Sequence, residues 1–308
     1  MEHRFGLITA PDANDWHAQR LVSALSAVGQ VERIDPASLR VVCGRSQQGD
    51  VLVTLAGGAD ARRFDAVVLG RLVTGGADAD LALDGARAIE LCGVPSFNRV
   101  GPMLAAQDKL WTAAVLARAG LPTPLCSSVP CPEDAVVALA EVGAAVAKPV
   151  FGSLGEGVFR CDGARERSRL ARMAGRSAHL VQRFVAPGGV DYRLFVVGDK
   201  VEACIRREAR AGQLRSNAAL GARAVPAVAR RLWRELAVEA TRVLGLSFAG
   251  VDLVEGDSGP AILEVNGFPG FRAIQRATAR DMAEAIARFV AHAVRWSRRS
   301  RRGERLGS

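Results

Sequence analysis

Three oxygen-bearing side chains in the last quarter of the sequence, Asp252, Glu264 and Asn266, could together bind a metal ion. They lie on two apolar runs, 248–254 and 260–266, which flank a turn-forming segment and therefore predict an antiparallel hairpin. Side chains alternate along a strand, so Glu264 and Asn266 share one face, which Asp252 can reach from the other strand. Oxygen ligands with no His or Cys nearby suit a hard cation, magnesium before zinc.

The register of this hairpin decides how far apart the two carboxylates lie. If Val254 faces Pro260 across the turn, Asp252 is opposite Ile262 and diagonal to Glu264. That arrangement separates the two acidic residues by about 7–8 Å, a distance that carboxylates can bridge through an ion. The alternative interpretation is a hairpin with one solvated acidic face, because Asp and Glu are common on exposed strand faces.

A second candidate site is a glycine-rich segment that follows an apolar strand. Lys148 lies near the end of the predicted strand 145–149, and Gly152, Gly155 and Gly157 follow it. Backbone N–H groups of such a loop can approach phosphate oxygens while an ammonium group neutralises their charge. The spacing does not match a Walker A loop, so a glycine-rich hairpin turn beside a surface lysine is the alternative.

Two further clusters of polar residues lie between the glycine-rich segment and the acidic hairpin. Arg215, Ser216 and Asn217 follow a second predicted hairpin and would supply a bidentate cation and an amide oxygen. Asp191 and Arg193 stand at the start of that second hairpin on alternate positions, and therefore on one face. Each of these residues taken alone also fits an ordinary surface position, so their order along the chain is what supports the site.

Strands that alternate with helices position these candidates. In the first hundred residues the sequence predicts helices over 15–28 and 78–92. The strand candidates there are 4–10, 31–34, 51–55, 64–70 and 94–98. This alternation predicts an α/β fold with a small doubly wound sheet, and the lack of Gly-x-Gly-x-x-Gly after its first strand argues against dinucleotide binding. A new domain is predicted to begin with the amphipathic helix at 105–119.

The composition is that of a folded protein, since 49% of the 308 residues are hydrophobic and 24% are charged. With no apolar run long enough for a membrane helix and no signal-peptide core after Met1, we expect a cytoplasmic protein. The six cysteines lack a metal-binding spacing and are predicted to be core residues. The net charge of +9 suits anionic substrates such as nucleotides, but no basic stripe interleaved with aromatics points to nucleic acid.

In order and spacing these residues resemble the ATP-grasp ligases, and specifically the RimK-type L-glutamate ligase family. The resemblance covers about residues 95–288. Its motifs are Asn98 with Asp108-Lys109, Ala147-Lys148-Pro149, Gly152-Ser-Leu-Gly-Glu-Gly157, Val181-Gln-Arg-Phe184, Asp191-Tyr-Arg193, Arg215-Ser-Asn217, and Asp252 with Glu264-Val-Asn266. Two departures are the hinge sequence Gln182-Arg183-Phe184, where Gln-Glu-Tyr is common, and the lack of paired glycines after Asn217. The second leaves acceptor and amino-acid specificity open.

The resemblance implies a nucleotide site. Lys109 and Lys148 would contact the phosphates, the backbone of the hinge 182–185 would read adenine, and Asp191 would take the ribose side. The full set of expected nucleotide-binding residues is Lys109, Lys148, Gly152, Ser153, Gly155, Gly157, Gln182, Arg183, Phe184, Val185, Asp191, Arg215, Ser216 and Asn217.

The resemblance also implies a metal site and a reacting centre. Asp252, Glu264 and Asn266 would hold two Mg²⁺ ions, with Glu264 bridging them, and Mn²⁺ is an alternative metal. The side chains expected at the reacting centre are Arg193, Arg215 and Asn217. The last two would face the γ-phosphate and the acyl phosphate that is formed from it.

The domain organisation implied by the resemblance has three parts. A pre-ATP-grasp α/β domain at 1–104 would precede a two-subdomain ATP-grasp fold at 105–297. The first subdomain, 105–185, would carry the glycine-rich loop and the hinge, and the second, 186–297, would carry the metal site. The arginine-rich segment 298–308 is predicted to be a disordered, solvated tail, with an anionic partner as the alternative.

By this resemblance the protein is expected to be an ATP-dependent carboxylate–amine ligase that joins L-glutamate to a carboxylate-bearing acceptor through an acyl phosphate. The acceptor would be a protein C-terminus or a cofactor with a glutamyl tail, such as tetrahydromethanopterin. Alternatives are a ligase for another amino acid, as in amino-carrier lysine biosynthesis, a basic nucleic-acid-binding protein, and an ATP-binding regulator without turnover. ATP and Mg²⁺ are the expected cofactors, neither a membrane nor nucleic acid is an expected partner, and a homo-oligomer is left open.

Overall fold

The computed structural model describes residues 2–44, 50–72, 79–152, 156–185, 189–209 and 222–304. Helices and strands alternate through these ranges and form three main sheets and one two-stranded ribbon. The α/β fold class predicted from the sequence is therefore confirmed. No helix within the described ranges is long and apolar enough to cross a membrane.

The N-terminal domain is built around a parallel sheet. Its helices and strands are β1 (Arg4–Ile8), α1 (Trp16–Ser26), β2 (Gln30–Ile34), β3 (Arg40–Cys43), β4 (Val51–Thr54), β5 (Ala66–Leu69), α2 (Ala79–Leu91), β6 (Ser96–Phe97) and α3 (Val100–Ala105), with 3₁₀ turns at Pro36–Ser38, Ala56–Gly58 and Ala61–Arg63. The strand order is β2-β1-β5-β6, and all neighbours run parallel.

The strand predicted at 51–55 does not join this sheet, which corrects the sequence-based assignment. It is β4, which pairs antiparallel with β3 in a separate ribbon. Only the seven residues 44–50 connect the two strands. A parallel connection requires a crossover of a dozen or more residues, so this short link favours an antiparallel pair.

Helix α1 shows how the sequence fixes its local structure. The Asp15 carboxylate accepts hydrogen bonds from the backbone N–H groups of His17 and Ala18 and so caps the helix N-terminus. The apolar side chains of Leu21 and Leu25 are buried. They pack in a core that also contains residues of the C-terminal half of the chain, so this domain is joined to the rest of the protein by a shared hydrophobic interior.

The middle of the chain forms a small antiparallel sheet with its own core. Its elements are β7 (Cys126–Val129), α5 (Asp134–Val142), β8 (Ala145–Pro149), β9 (Phe159–Arg160), α6 (Ala164–Ala174) and β10 (His179–Arg183). The preceding helix α4 (Lys109–Arg118) packs through Leu116 in the core of the C-terminal sheet. The strand order is β7-β10-β8-β9, and α5 and α6 cover one face. We refer to β7–β10, the segment that follows β8, and Lys109, whose side chain donates to that segment, as the phosphate-loop half of the site.

The C-terminal part forms the largest sheet, with strand order β13-β12-β11-β14-β15. The elements are β11 (Val190–Val197), β12 (Lys200–Glu208), β13 (Arg223–Pro226), α7 (Arg231–Val243), β14 (Phe248–Gly256), β15 (Gly259–Asn266), α8 (Arg272–Thr278) and α9 (Met282–Glu304). One face packs against α7, and the other joins α8 and α9 in the core shared with the N-terminal domain. We refer to β11–β15 as the hairpin half of the site.

The last helix differs from the prediction of a disordered tail at 298–308, because α9 continues to Glu304. Its apolar residues Ile286, Val290 and Val294 are buried in the shared core, which anchors the helix. Arginine has a high helix propensity, so an arginine-rich continuation of an anchored helix is favourable.

Candidate active site

The acidic hairpin forms from β14 and β15, but in a different register from the predicted one. The two strands are joined at Asp257-Ser258, and their pairing shifts by one residue between Asp252 and Leu253. This bulge places Asp252 directly opposite Glu264, whereas the sequence predicted Ile262 at that position. Directly opposed residues have β-carbons about 4.5–5.5 Å apart, so the two carboxylates are closer than expected.

The three oxygen-bearing residues of the hairpin fit a magnesium site that is completed by phosphate. The Asn266 amide nitrogen donates a long hydrogen bond of 3.4 Å to the Gly250 carbonyl, which leaves its amide oxygen available as a ligand. Within the described ranges Glu264 has no hydrogen-bond or ion-pair partner, and no group of three or more His, Cys, Asp and Glu side chains could hold an ion alone. Magnesium is usually bound by one or two carboxylates together with substrate phosphates.

Asp252 is buried and is held by two arginines. The Arg193 guanidinium forms a bidentate contact with it, in which Nη2 donates to Oδ2 at 2.7 Å, and Arg207 Nη2 lies 3.0 Å from the same oxygen. Burial alone would raise the pKa of Asp252, but the two guanidinium charges outweigh burial and hold the pKa below its ordinary value. Asp252 is therefore ionised and already partly neutralised.

Arg207 is a buried residue of the site that the sequence reasoning missed. Its Nε and Nη2 donate to Asp191 Oδ1 and Oδ2 at 2.6 and 2.7 Å, and both side chains are buried. Burial lowers the pKa of Arg207, but the negative charges of Asp252 and Asp191 raise this pKa by more than burial lowers it. The guanidinium is therefore permanently charged. A single guanidinium thus joins the predicted ribose-side residue Asp191 to the predicted metal ligand Asp252, and the ribose role itself stays a prediction.

Lys148 lies on the small sheet, near the end of β8, and we refer to the space between this sheet and the acidic hairpin as the cleft. Its Nζ donates a 2.6 Å hydrogen bond to Oε1 of the buried Gln182 on the neighbouring strand β10. Burial lowers the pKa of the Lys148 ammonium group, and the negative charge of Glu264 opposes that shift most strongly. The charge of Lys109 lowers this pKa as well. Both lysines and the acidic hairpin therefore act on the same space.

Lys109 is tied to the glycine-rich loop. Its Nζ donates to the Gly152 carbonyl at 2.7 Å, and its backbone N–H donates to the Val150 carbonyl at 3.1 Å. At Gly157 the backbone φ is +70°, and a β-carbon there would lie 2.8 Å from the Pro149 side chain, so only glycine fits without a shift. Ser153 and Gly155, two predicted phosphate contacts, lie outside the described residues.

The rarity of lysine in this chain is itself a sequence signal for Lys109 and Lys148. The chain has only three lysines, at positions 109, 148 and 200, while arginine supplies all its other guanidinium or ammonium side chains. Two of the three occupy this cleft. A compact ammonium group on a flexible stem suits phosphate as a point charge, so lysine in an arginine-rich protein indicates a position where the two are not interchangeable.

Two backbone N–H groups of the predicted hinge 182–185 are already hydrogen-bonded to neighbouring segments. The Arg183 N–H donates to the Leu125 carbonyl at 2.7 Å, and the Phe184 N–H donates to the Ala144 carbonyl at 2.8 Å. The guanidinium of Arg160 lies over the Phe184 ring, with its carbon 4.1 Å from the ring centroid. Any backbone N–H that recognises adenine at the hinge, which stays a prediction, would therefore be that of Val185 rather than of Arg183 or Phe184.

Arg215, Ser216 and Asn217 lie outside the described residues, so their predicted roles stay predictions. Arg193 is the one predicted reacting-centre residue within the described ranges. Besides holding Asp252, its Nη1 lies 2.8 Å from the position that a β-carbon on Gly250 would occupy. The glycine thus makes room for the arginine beside the hairpin.

Asn98, which was predicted only as part of a motif, forms hydrogen bonds with both ends of the hairpin. It is fully buried, and its amide nitrogen donates to the carbonyls of Phe248 and Gly267 at 2.8 and 2.7 Å. Its amide oxygen accepts from the N–H groups of Ser247 and Phe248 at 2.5 and 3.0 Å. One side chain from the end of the N-terminal domain therefore ties the start of β14 to the end of β15.

Comparison with protein families and relatives gives a consistent result. The RimK-like ATP-grasp domain matches residues 106–290. A probable alpha-L-glutamate ligase of Thioalkalivibrio sulfidiphilus (strain HL-EbGR7) is 34% identical over 305 residues, which cover 96% of this chain and 98% of the relative. A probable alpha-L-glutamate ligase of Xanthomonas oryzae pv. oryzae (strain MAFF 311018) is 38% identical over 241 residues, which cover 76% and 80%.

Solved structures show the same fold. The ATP-grasp ligase PsnB, complexed with precursor peptide PsnA2 and AMPPNP, matches with a TM-score of 0.73 and 20% identity over 96% of this chain and 98% of the other. The RimK domain protein ATP-grasp from Sphaerobacter thermophilus DSM 20745 matches with a TM-score of 0.65 and 23% identity over 93% and 98%. At these identities the similarity establishes the ATP-grasp architecture of all three sheets.

Proposed function

The chain belongs to the RimK-like ATP-grasp family, and from that membership we propose that it adds L-glutamate to a carboxylate-bearing acceptor. Membership makes the protein an ATP-dependent ligase that forms C–N bonds. The choice of glutamate is supported by relatives that are 34–38% identical and are named probable alpha-L-glutamate ligases. Either a peptide C-terminus or the glutamyl tail of a cofactor would supply the acceptor carboxylate.

One observation carries the proposal: Glu264, on the C-terminal sheet, is the acidic side chain whose charge most strongly raises the pKa of Lys148, on the small sheet. Acidic groups that would repel a triphosphate need a divalent cation between them and the phosphates. Lysines that attract the phosphates directly stand on the opposite wall. This pairing of an acidic hairpin with a cationic loop is the arrangement expected for phosphoryl transfer, where positioning and electrostatics do most of the catalysis.

The hairpin residues Asp252, Glu264 and Asn266 would hold the Mg²⁺ ions, of which we propose two. When bound, such ions neutralise the phosphate charge that develops during transfer. The carboxylate of Asp252 has to share its oxygens with Arg193 and Arg207 in this role. A carboxylate has about four lone-pair sites, and the two arginines use three of them, so one remains for a metal ligand.

The chemistry follows from the poor leaving group of a carboxylate. An acceptor carboxylate oxygen attacks the γ-phosphorus of ATP, the bond to the β-phosphate oxygen breaks, and ADP leaves. The free amine of glutamate then attacks the acyl carbon, the carbon–oxygen bond to phosphate breaks, and the amine loses a proton as the amide forms. Lys109, Lys148 and Arg193 would stabilise the negative charge of these steps, and Arg215 and Asn217 are proposed to assist.

Mass spectrometry of the products tests this function. The protein would be incubated with ATP, Mg²⁺ and a mixture of amino acids, with a peptide ending in glutamate and, in a separate reaction, with a glutamyl-tailed pterin. We expect one acceptor to gain a glutamyl residue for each ADP released. Addition of a different amino acid would replace glutamate in the proposal, and ATP hydrolysis without any acceptor product would count against ligation.

A further inference from the structure

The parallel sheet of the N-terminal domain reverses its order at β1 and β5, and we refer to the space outside the carboxyl ends of these two strands as the crevice. From β1 the chain moves outward to β2, and then crosses back to β5 on the other side of β1, as the order β2-β1-β5-β6 shows. The loops that leave the carboxyl ends of β1 and β5 therefore turn in opposite directions. In open α/β sheets such a switch point is where ligands bind.

The loop after β5 brings Arg71 into this crevice and fixes its backbone. The Arg71 carbonyl accepts a 2.7 Å hydrogen bond from the N–H of Ala10, which follows β1. Only one guanidinium nitrogen, Nη2, is engaged: it lies 3.0 Å from an oxygen of the buried Asp15 and 3.5 Å from one of Asp12. Within the described ranges Nε and Nη1 have no partner, and 45% of the side chain is exposed.

A second guanidinium, that of Arg272, reaches the same crevice from the C-terminal part. It lies over the Trp16 ring, 5.7 Å from its centroid, and forms no ion pair with any described residue. Burial lowers the pKa of His17, and the charges of Arg71 and Arg272 both add to that shift. The two guanidinium groups therefore act on one imidazole, which is kept neutral despite the nearby Asp15.

The crevice adjoins the reacting centre through a few residues. Gly250 of β14 has the Arg193 guanidinium and Pro269 on the side where a β-carbon would point, at 2.8 and 2.9 Å. Gly270, the next residue, lies against His17, whose Nε2 is 3.6 Å from the position of its absent β-carbon. Consecutive α-carbons are about 3.8 Å apart, so one step of the backbone, from Pro269 to Gly270, links the surroundings of Arg193 to those of His17.

We propose that this crevice is the subsite for a substrate carboxylate that does not react, with Arg71 and Arg272 as its two guanidinium contacts. The inference rests on the proposed ligase function, because glutamate enters as an amine and keeps both of its carboxylates. Asp15 and Asp12 hold one edge of Arg71 and leave the other edge free for a bidentate contact. The stacked position of Arg272 on Trp16 presents its guanidinium toward the same ligand.

Equilibrium dialysis can test the subsite without turnover. Binding of labelled L-glutamate, and separately of a peptide ending in glutamate, would be measured at saturating Mg²⁺ and AMPPNP for the wild type, Arg71→Gln and Arg272→Gln. The matched control is Arg62→Gln, which removes an exposed arginine of the same domain that pairs only with Asp60. We expect each crevice variant to weaken one of the two ligands by about tenfold or more, with AMPPNP affinity and the control unchanged.

The ligand that weakens identifies whether the carboxylate belongs to the amino acid or to the acceptor. Arg71→Lys should recover only part of the affinity, because a point charge cannot replace a planar fork. Arg272 has no ion-pair partner among the described residues and contacts Trp16 only through its ring, so we expect the Arg272 variant to fold even if loss of Arg71 exposes Asp15. Unchanged affinity for both ligands in both variants, or a wild type that binds neither, overturns the subsite. A wild type that does not bind AMPPNP overturns the proposed function instead.

Discussion

The charged groups that face the cleft have different kinds of partner in the two halves of the site. In the hairpin half, Asp191, Arg193, Arg207 and Asp252 form one buried network of paired charges. In the phosphate-loop half, the two lysines donate, among the residues that the structure describes, to uncharged oxygens, a backbone carbonyl and a glutamine amide. The hairpin half is therefore organised before any substrate arrives, whereas the loop half keeps cationic charge that a triphosphate would neutralise.

Glu264 differs from the other charged residues of the hairpin half, because its charge acts on the phosphate-loop half. It lies on the hairpin, directly opposite the paired Asp252, but has no ion-pair partner of its own in the described part of the chain. Its negative charge acts across the cleft on Lys148. This difference predicts that substitutions in the paired network will affect stability, and that substitutions of the unpaired groups will affect binding and catalysis.

The largest effect is expected from Glu264→Ala. Removing the carboxylate proposed to bridge two ions should lower kcat by about 10⁴-fold or more, because several kcal/mol of charge stabilisation is lost. The free energy of unfolding should change by less than about 0.5 kcal/mol, since no internal contact is broken. Glu255→Ala, near the turn of the same hairpin, is the control and should retain activity. Normal ADP release by Glu264→Ala would remove the metal site from the account.

Loss of Arg207 should be the largest effect on stability. Arg207→Ala leaves Asp191 without its bidentate partner and removes one of two cations from Asp252, so unfolding free energy should fall by about 3–5 kcal/mol. Urea denaturation of Arg206→Ala provides the comparison, because its neighbour Arg206 is more exposed and pairs with Glu208. Exposed pairs contribute about 0–1 kcal/mol. Equal destabilisation by the two variants would show that the network is not a special stabilising feature.

A smaller effect is expected from Lys148→Ala, which tests the phosphate-loop half. Loss of a phosphate contact that exists before reaction should weaken ATP binding about 10- to 100-fold and change kcat less. Lys200→Ala is a matched control, because Lys200 is the one lysine outside the cleft and pairs with Glu202 on the surface. Calorimetric titration with AMPPNP and Mg²⁺ gives the affinities. An unaltered affinity in Lys148→Ala would mean that phosphate binds elsewhere.

The smallest difference concerns how tightly the two halves are packed, which cysteine labelling can report. Burial raises the pKa of Cys161, in the small core of the loop half, to about 11, and that of Cys204, in the hairpin half, to about 12. Both thiols are therefore protonated at neutral pH, and labelling should accelerate as pH rises toward these values. We expect iodoacetamide to modify exposed Cys43 first, then Cys161, and Cys204 last, because the smaller core opens more often. Faster labelling of Cys204 than of Cys161 would reverse the comparison.

The sequence predicted the fold class and the hairpin at 248–266, because alternating strands and helices and a turn between two apolar runs are local signals. The register that it predicted, with Asp252 opposite Ile262, was wrong. Counting back from the turn of β14 and β15 without a bulge would pair Asp252 with Leu263, and the bulge moves Glu264 into that place. Bulges of this kind re-aim side chains and leave no clear trace in a single sequence.

The same limitation explains why Arg207 was missed. Pairing counted from the Gly198-Asp199 turn would set Asp191 opposite Arg206, but the register shifts between Phe195 and Val196 and brings Arg207 there instead. Both site-forming hairpins therefore carry a one-residue shift between their turn and their functional residues. The buried hydrogen bonds of Asn98 were equally out of reach, because its partners lie about 150 residues away in sequence.

The central claim is that a carboxylate is activated by phosphoryl transfer from ATP in the cleft between the two halves. The most direct test uses an acceptor whose carboxylate oxygens are labelled with ¹⁸O, in a reaction with ATP, Mg²⁺ and L-glutamate. The account predicts ADP as the nucleotide product and one ¹⁸O atom in each inorganic phosphate released, since the acyl phosphate loses that oxygen when the amine attacks. Unlabelled phosphate, or label that appears in AMP, would contradict it.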